Sequence, residues 1–205
     1  MPAFENNLAW SDRVLPEREW IKVQEAVERL RQPVRSYLPI HKKGGTIGYR
    51  DLCNQAPEIV ELYHSRKLQD LLCNIVGARV FRTPLHDQSS CSLLTYEQPG
   101  DHINWHYDHN FYKGRHFTVL IPVVNSGTSE NSCSSAQLIA RIKGADQIIP
   151  TPPNSMIVFE GARLLHKVTP IRKGERRVML SMTFCELPAN SWLQEAARRI
   201  KDTAF

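Results

Sequence analysis

Several features of membrane and secreted proteins are missing from this sequence of 205 residues. No apolar run approaches the roughly 20 residues that a membrane-spanning helix needs. The opening stretch, MPAFENNLAW, does not place an apolar segment after a basic start, as a secretory signal does. Internal repeats and low-complexity tracts are also lacking. We therefore expect a single cytoplasmic domain with no membrane partner.

Cysteine is scarce and widely spaced. The five cysteines are odd in number, and no two of them form a C-x-x-C pair. This pattern indicates neither a disulfide framework nor a zinc site built from thiolates. We expect reduced thiols at all five positions, which are Cys53, Cys73, Cys91, Cys133 and Cys185.

The sequence also lacks a concentrated charge of one sign. Its formal net charge is +5, but the basic residues are dispersed, and no basic stripe is interleaved with aromatic residues. A nucleic-acid partner is therefore not expected, and a small-molecule partner is preferred. Apolar residues make up 41% and charged residues 23%, which is typical of a globular protein with a sizeable core.

The first third of the sequence has the periodicity of helices. Apolar residues recur on one face over about 16–31 and again over about 57–76, where Gly77 is a suitable terminating residue. The segment between them is predicted to be a loop, with Lys42–Gly45 as its flexible part. Residues 1–77 are thus expected to form a helical support.

Short strands separated by turn signals follow Gly77. Residues 78–185 are expected to form a β core, and residues 186–205 a C-terminal part with a helix over about 189–202. Many short strands at this spacing favour a barrel or sandwich over alternating strand–helix units. The candidate strands are 79–83, 90–97, 102–107, 116–124, 135–141, 146–150, 155–160, 164–169 and 176–185.

The segment DHINWHYDH carries the strongest chemical signal. His106 and Asp108 are two residues apart, so in a strand their side chains point to the same face. An imidazole and a carboxylate side by side bind divalent metals, and non-haem iron sites add one more histidine. His166, a lone histidine within an apolar strand, is the candidate third ligand.

The residues after His166 carry a family resemblance. His166 is followed by Pro170-Ile171 and by the turn Gly174-x-Arg176. Together with H-x-D, this arrangement resembles the 2-oxoglutarate/iron(II) dioxygenases, especially the prolyl-4-hydroxylase-like branch, over about residues 93–184. The resemblance implies a double-stranded β-helix (jelly roll) with flanking helices. It also implies the cofactors Fe(II), 2-oxoglutarate and O2, with succinate and CO2 as co-products.

The resemblance further implies residues that hold the cosubstrate. An arginine would bind its distal carboxylate through a planar fork that stays charged. Arg176 matches the family spacing and is preferred, although a β-bulge would favour Arg177 instead. Tyr96 is expected to donate a hydrogen bond to 2-oxoglutarate. Thr118 or Thr183 would add a hydroxyl to the same carboxylate.

Other polar residues are candidates for substrate contact. His102 and Asn104 have the same parity as His106, and His109 and Arg115 follow the motif. Asp108 favours hydroxylation, because related halogenases carry a small residue at that position. Residues 103–118 also resemble, more weakly, the free-amino-acid hydroxylases and their halogenase relatives.

We expect an oxygenase that hydroxylates an unactivated C–H bond of a small polar substrate, such as a free amino acid or a derivative. A protein side-chain hydroxylase is the next alternative, followed by a nucleic-acid demethylase. Two other classes stay open: a metal-dependent hydrolase or isomerase without 2-oxoglutarate, and a non-catalytic barrel that binds a small ligand. The oligomeric state is not predicted.

Overall fold

The computed structural model describes residues 4–30, 33–38, 42–130 and 132–189. Within these ranges it contains α1 (Glu17–Arg29), α2 (Tyr49–Gln55), α3 (Pro57–His64) and α4 (Arg66–Val76). The predicted first helix is confirmed, and its buried face includes Trp20 and Val23. None of the helices in this part of the chain is long and apolar enough to cross a bilayer.

The predicted second helix consists of two helices. The chain leaves α3 at Ser65, whose backbone is extended, and α4 begins with Ser65 as its N-cap. The Ser65 hydroxyl accepts a hydrogen bond from the backbone N–H of Leu68 at 3.3 Å. Serine is favoured as an N-cap because its side chain satisfies a free N–H group of the first turn. Gly77 ends α4 in the left-handed conformation, as predicted.

All nine predicted strands are present, and three more lie before Gly77. The described strands form one sheet in the order β1-β10-β7-β12-β5-β3-β6-β11-β8-β9, with β2 paired to β3 and β4 paired to β12. The strands are β1 (Leu8–Ser11), β2 (Val34–Leu38), β3 (Lys42–Ile47), β4 (Phe81–Arg82), β5 (Cys91–Tyr96), β6 (His102–His106), β7 (Lys113–Ser126), β8 (Leu138–Ile142), β9 (Ala145–Ile149), β10 (Met156–Glu160), β11 (His166–Val168) and β12 (Arg176–Leu187).

The Lys42–Gly45 segment is a strand, so the prediction of a flexible loop there is wrong. Gly45 pairs with Thr95 in β5. A Cβ atom on Gly45 would overlap the Thr95 hydroxyl oxygen, and one on Gly44 would lie 3.1 Å from the Thr95 carbonyl oxygen. These glycines therefore permit close packing of β3 on β5, and chain flexibility is not their role.

The sheet curls around a central cavity. One wall comes from β5, β12, β7 and β10, and the facing wall comes from β6, β11 and β8. The outer face of the first wall packs against α1, α3 and α4. This wall is thus buried on both faces, which explains the nearly continuous apolar run Val119–Val124 in β7. The predicted C-terminal helix at 189–202 lies almost wholly outside the described residues.

Candidate active site

His106, Asp108 and His166 come together at one end of the cavity. One ligand atom from each of the three lies within 4.8 Å of the others. The Nε2 atoms of His106 and His166 are 3.5 Å and 3.7 Å from Asp108 Oδ1. The β6–β11 pairing explains the approach of the two imidazoles, because His106 and His166 are direct cross-strand partners. This spacing allows a single ion to contact all three side chains.

Both histidines are oriented by backbone carbonyl groups. His106 Nδ1 is 2.7 Å from the carbonyl oxygen of Asn104, and His166 Nδ1 is 2.9 Å from that of Leu164. Because a carbonyl oxygen only accepts, each Nδ1 must carry the proton and donate it. The Nε2 lone pairs therefore point toward Asp108, which is how metal-binding histidines are commonly held.

Asp108 is fixed from two sides. Its backbone N–H donates to the carbonyl oxygen of Gly161 at 3.0 Å, and Thr118 Oγ1 donates to Asp108 Oδ2 at 2.5 Å. A Cβ atom on Gly161 would lie only 2.5 Å from the Asp108 Cβ. Gly161 is thus required for the carboxylate to occupy its position, and Thr118 leaves Oδ1 facing the histidines.

Electrostatics keep the carboxylate ionised. Burial alone would raise the pKa of Asp108, but His166, His106 and the Thr118 hydroxyl together hold that pKa well below its usual range. Burial lowers the pKa of His166, more than Asp108 raises it. The pKa of His106 is raised, because its interaction with Asp108 outweighs burial. The site therefore offers an anionic oxygen beside two imidazole nitrogens.

A second polar group, Arg177, lies at the other end of the cavity. Arg177 is 0% exposed. Its Nη1 atom donates to the carbonyl oxygen of Ala136 and to Thr151 Oγ1, both at 3.0 Å. Its Nε and Nη2 atoms are buried and have no hydrogen-bond partner among the residues that the structure describes. Burial lowers the pKa of this guanidinium, since desolvation disfavours the charged form.

Tyr96 lies beside this arginine. It is the cross-strand partner of Arg177 between β5 and β12, and its side chain also lines the cavity. Burial raises the pKa of the Tyr96 phenol. The hydroxyl group therefore stays protonated and is able to donate a hydrogen bond. Its predicted contact with a cosubstrate stays a prediction.

The preference for Arg176 is wrong, because its side chain points out of the cavity. Arg176 forms ion pairs with Glu28, through Nη1 at 2.5 Å, and with Glu97, through Nε at 2.9 Å. The reason is the two-residue alternation of β12. Arg177 has the same parity as Ser181 and Thr183, which line the cavity, whereas Arg176 has the parity of the outer face.

The structure separates Thr118 and Thr183 from Arg177, although one of them was predicted to bind the carboxylate held by the arginine. Thr118 and Thr183 are cross-strand partners between β7 and β12. Thr183 is six positions beyond Arg177 on β12, which corresponds to about 20 Å along a strand. Thr118 lines the cavity, but its hydroxyl donates to Asp108. It therefore acts at the metal-binding end.

A β-bulge removes His102 and Asn104 from the cavity wall. Val168 pairs with Ile103 and His166 pairs with His106, so two steps on β11 face three steps on β6. The extra residue reverses the parity of β6, and Ile103 lines the cavity together with His106. Neither His102 nor Asn104 is a lining residue, so the parity argument for them is wrong.

The other two candidates for substrate contact differ from each other. Arg115 does not line the cavity, because its side chain pairs with Glu186 at 2.9 Å. His109 does line the cavity, and its ring stacks on Phe111 with 5.8 Å between centroids. Substrate contact by His109 and by Arg115 stays a prediction, and of the two the structure places only His109 in the cavity wall.

The cavity wall changes character along its length. Its volume is about 280 Å³, near the lower end for small-molecule sites. The pairing of β5 with β12 places cross-strand residue pairs one after another along the wall. The first pair is Tyr96 and Arg177, the second is Leu94 and Met179, and the third is Ser92 and Ser181. A cationic end is thus separated from a hydroxyl-bearing region by an apolar pair.

Several solved protein structures are similar to this one. The sequence matches no protein-family model and no curated protein sequence. The structure is similar to the non-haem α-ketoglutarate-dependent epimerase SnoN from nogalamycin biosynthesis, with a TM-score of 0.70 and 12% identity over 88% of this chain and 76% of that one. It is also similar to AviO1 from Streptomyces viridochromogenes Tue57, with a TM-score of 0.68 and 17% identity over 90% and 93%.

A third similar structure is a prolyl hydroxylase from Trichoplax adhaerens in complex with a hypoxia inducible factor peptide. Its TM-score is 0.67, with 16% identity over 96% of this chain and 87% of that one. The fold is that of the 2-oxoglutarate/iron(II) oxygenases. The predicted double-stranded β-helix with flanking helices is therefore confirmed.

Proposed function

We propose that this protein is a 2-oxoglutarate- and iron(II)-dependent oxygenase that acts on a small polar substrate. The observation that carries the proposal is the buried guanidinium of Arg177, which lies in the same cavity as the three clustered side chains. Two of its N–H-bearing atoms have no partner within the described ranges of the chain. A buried cation without an anion costs several kcal/mol, on the order of a broken ion pair. A carboxylate bound there would remove that cost.

The donor set is suited to iron(II). Two imidazole nitrogens and one carboxylate oxygen, from His106, Asp108 and His166, are the ligands of non-haem iron oxygenases, which leave the remaining positions open. Iron(II) with 2-oxoglutarate would supply the activation of O2 and the oxidation of a C–H bond, with release of succinate and CO2. A structure of the similar protein SnoN contains Fe3+ and α-ketoglutarate.

The chain contributes binding and orientation. Arg177 would hold the distal carboxylate of 2-oxoglutarate through its free N–H groups, and Tyr96 would donate to the same molecule. Leu94 and Met179, which follow Tyr96 and Arg177 on the wall, would contact the two methylene groups between the carboxylates. A hydrolase or isomerase with the same metal ligands has no use for a buried arginine with two N–H-bearing atoms left over for a ligand, so this residue favours the oxygenase.

The test uses the purified protein without oxygen. Addition of Fe(II) and 2-oxoglutarate is expected to produce a visible metal-to-ligand charge-transfer band, and admission of air is expected to produce succinate. Asp108→Ala should abolish both signals. Asp146→Ala, which removes an exposed carboxylate paired with Arg141, is the matched control and should preserve them. Absence of the band and of succinate in the unmodified protein would refute the proposal.

The size of the substrate has its own test, because one similar structure holds a peptide. Succinate formation is measured with proline-containing peptides and with small polar molecules in parallel. We expect stimulation by small molecules, because the Ser92–Ser181 pair is more than nine-tenths buried and lies within the cavity wall. Stimulation by peptides alone would favour a protein side-chain hydroxylase.

A further inference from the structure

The serine and threonine hydroxyl groups of the cavity wall fall into two sets. Three of them already have partners inside the protein: Thr118 donates to Asp108, Ser89 Oγ lies 2.6 Å from Asp87 Oδ1, and Thr183 Oγ1 lies 2.7 Å from Thr83 Oγ1. Their orientation is therefore fixed by the fold.

Ser92 and Ser181 form the second set. They are direct cross-strand partners between β5 and β12, they line the cavity, and they are 2% and 9% exposed. Neither hydroxyl forms a hydrogen bond within the described part of the chain, and both residues border the cavity. Buried polar groups are rarely left without partners unless a ligand or water completes them. Side chains of cross-strand partners lie about 5 Å apart, so one ligand group reaches both.

The charge of the cavity restricts that ligand. Asp108, at the metal-binding end, is the sole carboxylate among the described residues that line the cavity, whereas Lys42 and Arg177 are both lining cations. With 2-oxoglutarate bound to Arg177, a substrate ammonium group would find no free anion and would still meet the cation Lys42. A free amino acid, expected from the sequence, is therefore poorly matched to this cavity.

We propose that Ser92 and Ser181 bind hydroxyl groups of an uncharged, polyhydroxylated small molecule, and that this molecule is the substrate. The proposal rests on the proposed oxygenase function. A serine hydroxyl both donates and accepts, and a ligand hydroxyl complements both roles at once. Leu120, the cross-strand neighbour of Ser181 on β7, and the exposed ring of Tyr107 at the rim offer apolar contacts to the carbon skeleton.

The first experiment compares candidate substrates that have similar carbon skeletons but different charges. Methyl glycosides and cyclic polyols are compared with amino-sugar and sugar-acid analogues and with free amino acids, in the presence of Fe(II) and 2-oxoglutarate. An uncharged compound is expected to raise succinate formation at least about fivefold, and to raise the melting temperature without oxygen. Greater stimulation by an amino acid or a charged analogue, or no stimulation by any uncharged compound, would overturn the proposal.

The second experiment locates the binding site. Ser92→Ala and Ser181→Ala should each raise the KM of the stimulating compound about tenfold, the effect of one lost hydrogen bond. The 2-oxoglutarate concentration that half-saturates the charge-transfer band should change less than about twofold. Ser126→Ala, which removes an exposed hydroxyl at the end of β7, is the control and should leave KM unchanged.

The two readouts separate the possible failures. If the serine variants weaken 2-oxoglutarate binding and leave the KM of the second compound unchanged, the pair belongs to the cosubstrate and this inference is wrong. If no charge-transfer band forms in the unmodified protein, the oxygenase function itself fails. The band is recorded before any substrate is added, so one failure is not mistaken for the other.

Discussion

The two faces of strand β12 differ in whether their polar side chains have hydrogen-bonding or ionic partners. On the outer face, Val178, Leu180 and Met182 pack in the hydrophobic core beneath the helices, and Arg176 has two carboxylate partners. On the inner face, two nitrogen atoms of Arg177 and the hydroxyl group of Ser181 have no hydrogen-bond partner among the described residues. Residues that are adjacent in sequence therefore have different surroundings: the outer face contributes to stability, and we propose that the inner face binds ligands.

This difference implies that stability and binding are separable by substitution. Outer-face changes should alter the free energy of unfolding and leave ligand affinity intact. Changes at Arg177 and Ser181 on the inner face should do the reverse, because polar atoms of these two residues gain partners when a ligand is bound. The following substitutions test that separation.

Arg177→Met should have the largest effect. Removing the buried cation is expected to weaken 2-oxoglutarate binding by about 4 kcal/mol, a factor of about 1,000. The protein without ligands should melt at the same or a higher temperature, because an apolar side chain replaces an incompletely partnered charge. Titration of the charge-transfer band and a thermal melt measure the two effects. A lower melting temperature with unchanged affinity would contradict the assigned role of the inner face.

Leu180→Ala should destabilise the protein by about 3 kcal/mol, because it leaves a cavity in the core. Leu180 is fully buried on the outer face. Denaturant unfolding measures the loss, and 2-oxoglutarate titration of the folded protein at low temperature is expected to give an unchanged midpoint. A shift in that midpoint of more than about threefold would show that the two faces are coupled.

Gly161→Ala should impair metal binding. The added Cβ would meet the Asp108 side chain at 2.5 Å, so the carboxylate has to move. Disturbing a group that positions a metal ligand typically lowers metal affinity by about 10- to 100-fold, and competition with a chelator measures this for Fe(II). Gly48→Ala is the control, because its nearest contact is the Gln88 side-chain oxygen at 3.2 Å, far along a flexible side chain. Equal losses in both variants would argue against a specific contact with Asp108.

Arg176→Met should have the smallest effect. Its ion pairs with Glu28 and Glu97 are partly exposed to solvent, and exposed pairs contribute at most about 1 kcal/mol. Denaturant unfolding should show a loss below that value, and the half-saturating 2-oxoglutarate concentration should match that of the unmodified protein. A large loss of 2-oxoglutarate affinity here would restore Arg176 as the anchor.

The metal-binding cluster was predictable because its geometry is local. His106 and Asp108 are close in sequence, and His166 is a lone histidine in an apolar strand. The arginine was also predictable in principle. Along β12, an apolar set (Val178, Leu180 and Met182) alternates with a second set (Met179, Ser181 and Thr183). The second set contains the polar residues and has the same parity as Arg177. Family spacing from His166 favoured Arg176, and the strand pattern should have outweighed it.

The other wrong predictions concern residues whose orientation or packing depends on the neighbouring strand of the sheet. The extra residue in β6 is visible only through its pairing with β11, so the parity of His102 and Asn104 was misassigned. Likewise, Gly44 and Gly45 look like flexible positions until their contact with Thr95 is known. The break at Ser65 is different, since its cap signal was present in the sequence but was masked by the continuing apolar stripe.

The incomplete hydrogen bonding of the Arg177 guanidinium has a consequence for the lifetime of the protein. A ligand that binds the folded chain alone shifts the folding equilibrium, by about 2.7 kcal/mol at 100 times its Kd. If 2-oxoglutarate is that ligand, its supply sets the fraction of molecules that are transiently unfolded and open to proteolysis. The abundance of this protein would then follow the concentration of a central metabolite, with no dedicated regulatory domain.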